Sequence, residues 1–330
     1  GNIRIVKTDK IDAKGIAKLG LSKDIPVSQF PAKLVLELRS LTRKYYDLTD
    51  ERSAHINKLK GDLHTVFPQY LDVFCDVTGK TSTMILRQYG TPDKILRGHK
   101  KTMIEKISKA SRKGLAKASE RYEKLCAAAN AAKTFGCQID SIYFNIFLTL
   151  DLVEKLDSAL DSILNRIRQL ITFNKNEKFI QQIKLLNTIP GVGFLTAVTI
   201  MCEIGDFSAF RNPKQLFAYF GLDPEVNESG KFVGTQLHMS KRGSRIARRA
   251  IFAVALASIR TKRNGEGINP YLRKYYELKS GQKPKMVAIG AVMHKVCNIV
   301  FAVLRDEKAF ELRSPEEHCK QYQRPALAAA

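Results

Sequence analysis

The residues with the most chemical promise stand together at His238-Met-Ser-Lys-Arg-Gly-Ser-Arg-Ile-Ala-Arg-Arg, where two serines sit among cations. From Lys231 to Arg263 the sequence holds nine basic residues and no acidic one. A helix starting near Ser244 puts Arg245, Arg248 and Arg249 at spacings of three and four on one side, a face that binds phosphate. A serine hydroxyl aligned on phosphorus beside guanidinium and ammonium groups can attack it, the cations stabilising the charge that builds on the non-bridging oxygens. That step breaks a phosphodiester. Ser240 or Ser244 as a helix N-cap is the structural alternative.

Two further groupings carry phosphate or metal chemistry. Ile189-Pro-Gly-Val-Gly, between helical patterns, has the make-up of a helix-hairpin-helix turn. Gly191 and Gly193 let the backbone approach closely, and the next helix offers free N–H groups and a positive dipole end to a phosphate, blind to base sequence. An ordinary Gly-rich helix connection reads the same way. It is not a dinucleotide fingerprint, because position 196 is Thr and no strand precedes it. Near the amino end, Val6-Lys7-Thr8-Asp9-Lys10-Ile11-Asp12-Ala13 sets Asp9 and Asp12 on one side of a helix, which suits joint binding of a hard divalent cation such as Mg²⁺. Helix capping by Asp9 or Thr8 is the alternative. Gly79-Lys80-Thr81 imitates the end of a phosphate-binding loop, but position 74, where that loop needs Gly, is Phe; no nucleotide hydrolysis is implied. The six His lack ligand spacing, and Tyr271, Tyr275 and Tyr276 read as packing residues of an amphipathic helix.

These residues need helices to hold them. From Leu34 the apolar positions recur at 34, 38, 41, 45 and 48, then resume at Ile56, Leu59 and Leu63 after a shift of register, which predicts a long amphipathic helix. A second stripe, Val153, Leu156, Leu160, Ile163, Ile167 and Leu170, demands a partner helix. The two pair with each other or across a dimer. Between them, residues 67–140 hold shorter helices broken at Pro68, Gly79, Gly90-Thr91-Pro92 and Gly98. Within this region Lys94 to Lys124 contains eleven Lys/Arg against three Glu, which fits phosphate contact or a solvated face. A different unit begins near Gln182; the last third is helical apart from loops at Asn264 to Asn269 and Gly281 to Pro284, and a tail follows from Arg324.

The chain as a whole has 55 Lys+Arg against 32 Asp+Glu over 330 residues, a net charge of +23 that asks for a polyanionic partner, DNA first. With 44% hydrophobic residues, wholesale disorder is excluded. Six cysteines without a C-x-x-C pair argue against a zinc ribbon or a disulfide framework and for a reduced, intracellular protein. Ala250 to Ile259 is half a membrane span, and Met286 to Leu304 carries His294 and Lys295 at its middle, so a core helix is expected there and no membrane partner.

Taken in this order, the segments resemble the insertion sequence 110 family of transposases, bridge-RNA-guided recombinases with a RuvC-like DEDD domain and a serine-bearing transposase domain. The resemblance rests on Ile189-Pro-Gly-Val-Gly, Phe217-Ala-Tyr-Phe-Gly-Leu-Asp-Pro, Ser229-Gly, Met239-Ser-Lys-Arg-Gly-Ser-Arg-Ile-Ala-Arg-Arg-Ala, Asn269-Pro-Tyr, Gly281-Gln-Lys-Pro-Lys and Ala288-Ile-Gly-Ala-Val-Met. At the other end, Val6-Lys-Thr-Asp-Lys-Ile-Asp-Ala is similar to the family's last acidic motif.

The resemblance implies a mainly α chain: a C-terminal remnant of an RNase H-like (RuvC-like) domain at 1–27, a coiled-coil helical region at 28–182, a helical transposase domain with a helix-hairpin-helix element at 183–312, and a tail at 313–330. It implies Ser240 as nucleophile by its place in Met-Ser-Lys-x-Gly, and Mg²⁺ on Asp9 and Asp12. Lys241, Arg242, Arg245, Arg248 and Arg249, with Gly191 and Gly193, would contact nucleic acid. The partners it implies are DNA, a structured guide RNA and a homodimer that assembles to a tetramer in the synapse, in a prokaryotic cytoplasm beside the nucleoid. The family's first Asp and its Glu find no room ahead of Asp9, so the sequence is expected to be the C-terminal part of a longer protein, and by itself to bind nucleic acid with little or no recombination. Two rival expectations are a non-catalytic helix-hairpin-helix DNA-binding dimer and a metal-dependent junction nuclease using Asp9 and Asp12.

Overall fold

Two helices of 34 residues each, α2 (Lys33–Val66) and α8 (Asp140–Phe173), run antiparallel and organise the chain. At one end Leu38 shares a core with Ile167 and Leu170; at the other the Tyr143 hydroxyl donates to the Val66 carbonyl at 3.3 Å. Arg52 pairs with Asp157 between them. At 1.5 Å of rise per residue each helix is about 50 Å long. The computed structural model describes residues 9–21, 32–225, 228–229, 232–233, 238–314 and 316–317. The expected tail from Arg324 lies outside them.

A core sits at each end of this pair. The distal head comprises α3 (Tyr70–Val73), α4 (Lys80–Gln88), α5 (Pro92–Arg97), α6 (Lys100–Ser111) and α7 (Leu115–Phe135), packed around Leu59, Leu63, Phe67, Leu125 and Ile146. The second core gathers Leu38 and Ile167 with α9 (Lys178–Leu186), α10 (Phe194–Ile204), α11 (Pro213–Tyr219), α12 (Arg245–Ser258), α13 (Pro270–Ser280) and α14 (Lys285–Asp306). The register shift in α2 now has a cause: Leu38 faces one core, Leu59 and Leu63 the other, and the helix rotates its apolar face between them. The stripe from Val153 to Leu170 finds its partner in α2 of the same chain.

α14 is long and apolar enough to cross a membrane by length and composition. Its Val292, Val296 and Val300 are buried against the C-terminal core, and it packs on α9, α11, α12 and α13, so its apolar faces have protein partners. The five described cysteines are free. A short antiparallel ribbon, β1 (Glu228–Ser229) with β2 (Phe232–Val233), lies between α11 and α12. The helix α1 (Asp9–Leu21) is the described part of the amino-terminal region, and among its described residues every side chain is exposed.

Candidate functional site

Ser240 lies in a loop that is zipped by backbone hydrogen bonds to the segment leaving α11. The Ser240 N–H donates to the Asp223 carbonyl at 2.8 Å, the Lys241 N–H to that of Gly221 at 3.1 Å, and the Glu225 N–H to that of His238 at 2.7 Å. Two glycines permit this approach. Gly221 adopts φ +66°, and a Cβ on Gly243 would lie 2.0 Å from the Tyr219 carbonyl oxygen. Lys241, directly after the serine, is itself held at φ +54°, a costly conformation for a residue with a side chain. The Ser240 side chain is half-buried, and its hydroxyl donates to Asp223 Oδ1 at 2.6 Å.

Ser244 has a different fate. It is the N-cap of α12: its Oγ accepts from the Ala247 N–H at 3.1 Å and donates to Glu203 Oε2 at 2.7 Å. Glu203 is 3% exposed and also takes two hydrogen bonds from Arg43 of α2, at 2.8 and 2.9 Å. Burial pushes the Glu203 carboxyl up, but Arg43, Ser244 and Arg39 together outweigh it and hold the group below the ordinary glutamate range. The helix dipole at the start of α12 favours the same charge. Arg39 Nε donates to the Cys202 carbonyl at 2.7 Å, so α2 grips the end of α10 at two successive residues. Burial pushes the Cys202 thiol up to about 12, which leaves it unreactive near neutral pH.

The basic residues divide by task. Arg248 donates to the carbonyls of Phe220 and Gly243 at 3.1 and 3.0 Å and fastens the two loops together. Arg249 pairs with Asp50 of α2 at 2.7 Å and lies 4.8 Å from the centre of the Tyr46 ring, while the exposed Arg245 reaches Asp50 at 3.8 Å. Lys241 and Arg242 are exposed, and neither has an ion-pair partner among the described residues. Of the three arginines of α12, Arg248 is thus engaged in holding loops together, and Arg245 and Arg249 face Asp50 of α2.

The hairpin at 187–193 joins α9 to α10. Gly191 takes φ +95°, and a Cβ there would meet Ser258 Oγ at 2.6 Å, so this glycine is needed for packing on the end of α12. Gly193, in contrast, is exposed with open space at its Cβ position, and it is the N-cap of α10. The turn thus offers uncapped N–H groups at Gly193 and closes on the core at Gly191.

Comparison with known proteins decides the lineage. Residues 183–277 match the family model described as Transposase IS116/IS110/IS902 family, and residues 2–68 match one described as Transposase of the DEDD, IS110 type. The chain belongs to the IS110/IS116 family of transposases. It is 24% identical over 314 residues to the insertion element IS110 uncharacterized 43.6 kDa protein of Streptomyces coelicolor, covering 94% of this chain and 73% of that one. The pilin gene-inverting protein of Moraxella bovis is 30% identical over 177 residues, 53% of this chain and 52% of its own. The transposase for insertion sequence element IS1111A of Coxiella burnetii is 26% identical over 188 residues, 55% and 50% of the two chains. As an IS110-family transposase the protein acts in DNA cleavage and rejoining, and its DEDD match suggests use of a divalent metal.

Asp9 and Asp12 lie in the first turn of α1 of this transposase, both exposed and three residues apart. No group of three or more His, Cys, Asp or Glu side chains able to hold an ion occurs among the described residues. Two carboxylates do not by themselves fit the coordination that a hard divalent cation demands. Sequence reasoning passed over Asp223, Glu203, Arg43 and Asp50. Asp223 was visible only as part of Phe217-Ala-Tyr-Phe-Gly-Leu-Asp-Pro; the other three lie on α10 and α2 with no local motif to mark them.

Proposed function

We propose that this IS110-family chain carries the strand-transfer nucleophile of a DNA recombinase, and that Ser240 is that nucleophile. The contrast between the two serines carries this: both are half-buried, but the Ser244 hydroxyl is consumed in capping α12 and bonding the buried Glu203, whereas Ser240 sits in a loop tied by backbone hydrogen bonds beside the exposed Lys241 and Arg242, which have no ion-pair partner among the described residues. Attack by the Ser240 hydroxyl on a DNA phosphorus conserves the phosphodiester energy in a phosphoserine link, so rejoining needs no ATP. Lys241 and Arg242 hold the non-bridging oxygens, Arg248 keeps the loop in shape, and Gly193 with the start of α10 contacts a neighbouring backbone phosphate. Asp9 and Asp12, exposed in the first turn of α1, are the two carboxylates this chain would offer toward a Mg²⁺ ion, and the bond exchange at Ser240 is not routed through it. The remaining parts of the reading follow the resemblance: a structured guide RNA that pairs with both DNA partners, a dimer that assembles to a tetramer, and a cytoplasmic site of action beside the nucleoid.

The test is a covalent-adduct assay with the full-length protein on a nicked DNA duplex carrying the element's terminal junction, together with RNA transcribed beside the reading frame. Ser240→Ala is expected to abolish the protein–DNA adduct while duplex binding persists. Ser244→Ala is expected to lower stability by about 1 kcal/mol and to keep the adduct. An adduct that survives in Ser240→Ala, or that disappears only in Ser244→Ala, removes Ser240 from the role. Cleavage with no covalent intermediate would point to the junction nuclease, and binding with no cleavage to a DNA-binding module.

A further inference from the structure

We propose that Asp223 is a catalytic residue of this transposase, the group that accepts the Ser240 proton as the hydroxyl attacks phosphorus; the inference rests on Ser240 being the nucleophile. Its basis is one geometry. The hydroxyl already donates to Asp223 Oδ1 at 2.6 Å, within the reach a general base requires. The pair is fixed on both sides by backbone, through Ser240 N–H to the Asp223 carbonyl at 2.8 Å and the isolated bridge between Pro224 and Met239. The two side chains therefore keep their register without relying on their own bond.

The second serine–carboxylate pair of the same unit shows why this one is suited to proton transfer. Glu203 is 3% exposed and accepts two hydrogen bonds from Arg43, so its oxygens are committed and its charge is locked in. Asp223 is only half-buried, and among the described residues no lysine, arginine or histidine pairs with it. Its second oxygen has no hydrogen-bond partner among the described residues. A carboxylate neutralised by a guanidinium is a holdfast; one whose side-chain hydrogen bond, among the described residues, is to the reacting hydroxyl can take a proton.

The Oγ–P bond forms and the bond from phosphorus to the leaving sugar oxygen breaks; the Oγ proton passes to Asp223, and water protonates the departing oxygen. In rejoining, a strand hydroxyl attacks the phosphoserine and gives its proton to water, the Oγ–P bond breaks, and the protonated Asp223 returns its proton to Oγ. The cations at Lys241 and Arg242 hold phosphate in both directions, and neither is a proton carrier.

The experiment follows the rate of phosphoserine formation by the full-length protein on the nicked junction duplex at saturating DNA. It also measures the Kd for a mixed-sequence duplex and the melting temperature. Asp223→Asn, which keeps an acceptor oxygen but removes the basic one, is expected to slow adduct formation by about 10²- to 10⁴-fold, with Kd within about threefold of wild type. Asp223→Glu is expected to exceed Asp223→Gln by about tenfold or more in the same assay, since the two differ in charge and hardly in size. If Asp223→Asn fails to fold, that ratio alone decides. Wild-type rates in Asp223→Asn, equal rates for Glu and Gln, or a defect that vanishes at saturating DNA would each overturn the proposal. An adduct in Ser240→Ala instead sinks the nucleophile reading; loss of it there with full rate in Asp223→Asn sinks only the role of Asp223.

Discussion

The distal head and the C-terminal unit are both packed from apolar helix faces against the same α2–α8 pair, yet their polar groups and backbones differ. In the head the ion pairs Lys100–Glu123, Lys124–Glu120 and Lys133–Asp93 lie at the surface, and left-handed backbone occurs at Gly90 and Arg112. The C-terminal unit buries the charge of Glu203 and bends through Gly191, Gly205, Gly221, Lys241 and Gly265 at positive φ. Regular helices suffice to make a core; setting a hydroxyl on a carboxylate next to two exposed cations in sequence needs tight loops and an anchored charge. Irregular backbone and buried ionisation gather in the C-terminal unit, while the head follows ordinary helix-packing rules.

Glycine substitution is the most forceful way to break this contrast. Gly243→Ala places a methyl group 2.0 Å from the Tyr219 carbonyl, so the two loops must separate. A loss of more than about 3 kcal/mol is expected, together with the Ser240–Asp223 bond and the adduct. Gly61, exposed in α2 beside the head, has open space at its Cβ position, and Gly61→Ala is expected to add about 0.5–1 kcal/mol. Urea unfolding of both variants checks the pair of signs; the same sign for both would undo the comparison.

Removing the buried charge should have the next largest effect. Glu203→Gln leaves Arg43 without its charged partner and weakens the hydrogen bond that Glu203 accepts from Ser244, and about 2 kcal/mol is expected at neutral pH. The pH dependence has a definite sign. Because the folded carboxyl is held below its ordinary value, its contribution is present in full above the unfolded value of about 4.3 and is lost as pH falls through the folded one. The gap between wild type and Glu203→Gln, read from hydrogen exchange at α10 and α12, should therefore close on acidification below about pH 4. A gap that holds constant into acid would show that Glu203 acts by shape alone.

What the sequence revealed follows from how local each signal is. The stripes along α2 and α8 were readable because a helix repeats its buried face every few residues, and the start of α12 because Ser244 caps it in sequence as in space. The partner of each stripe was open between the same chain and a second copy, and only packing resolves it. The cationic run from Ser240 to Arg249 was visible, but its division of labour was not: the Arg248 contacts to Phe220 and Gly243 and the Arg249 contact to Asp50 come from residues up to 199 positions away. Asp223 lies 17 positions before Ser240, too far for any helical or strand period to join them. Loop-to-loop closure leaves its trace only in the glycines that permit it.

The smallest expected effect concerns the head, and it decides whether its charge is a second contact surface or a solvated face. Lys109, Arg112, Lys113 and Lys117 surround the turn from α6 to α7, all exposed and without an ion-pair partner among the described residues. Arg112 ends α6 in the left-handed conformation, and the adjoining Gly114 has open space around it, so the turn projects its cations free of packing. Reversing all four to Glu is expected to weaken duplex or RNA binding about tenfold near physiological salt and to flatten the slope of log Kd against log salt by about 2 or more. The adduct rate at saturating DNA should stay unchanged, because no phosphate held at this turn takes part in the bond exchange at Ser240. A slope identical to wild type would assign the head's charge to solvation alone and leave nucleic-acid contact to the C-terminal unit; a fall in the saturated adduct rate would mean that the head reaches the reacting strand and that the two regions are not separable in function.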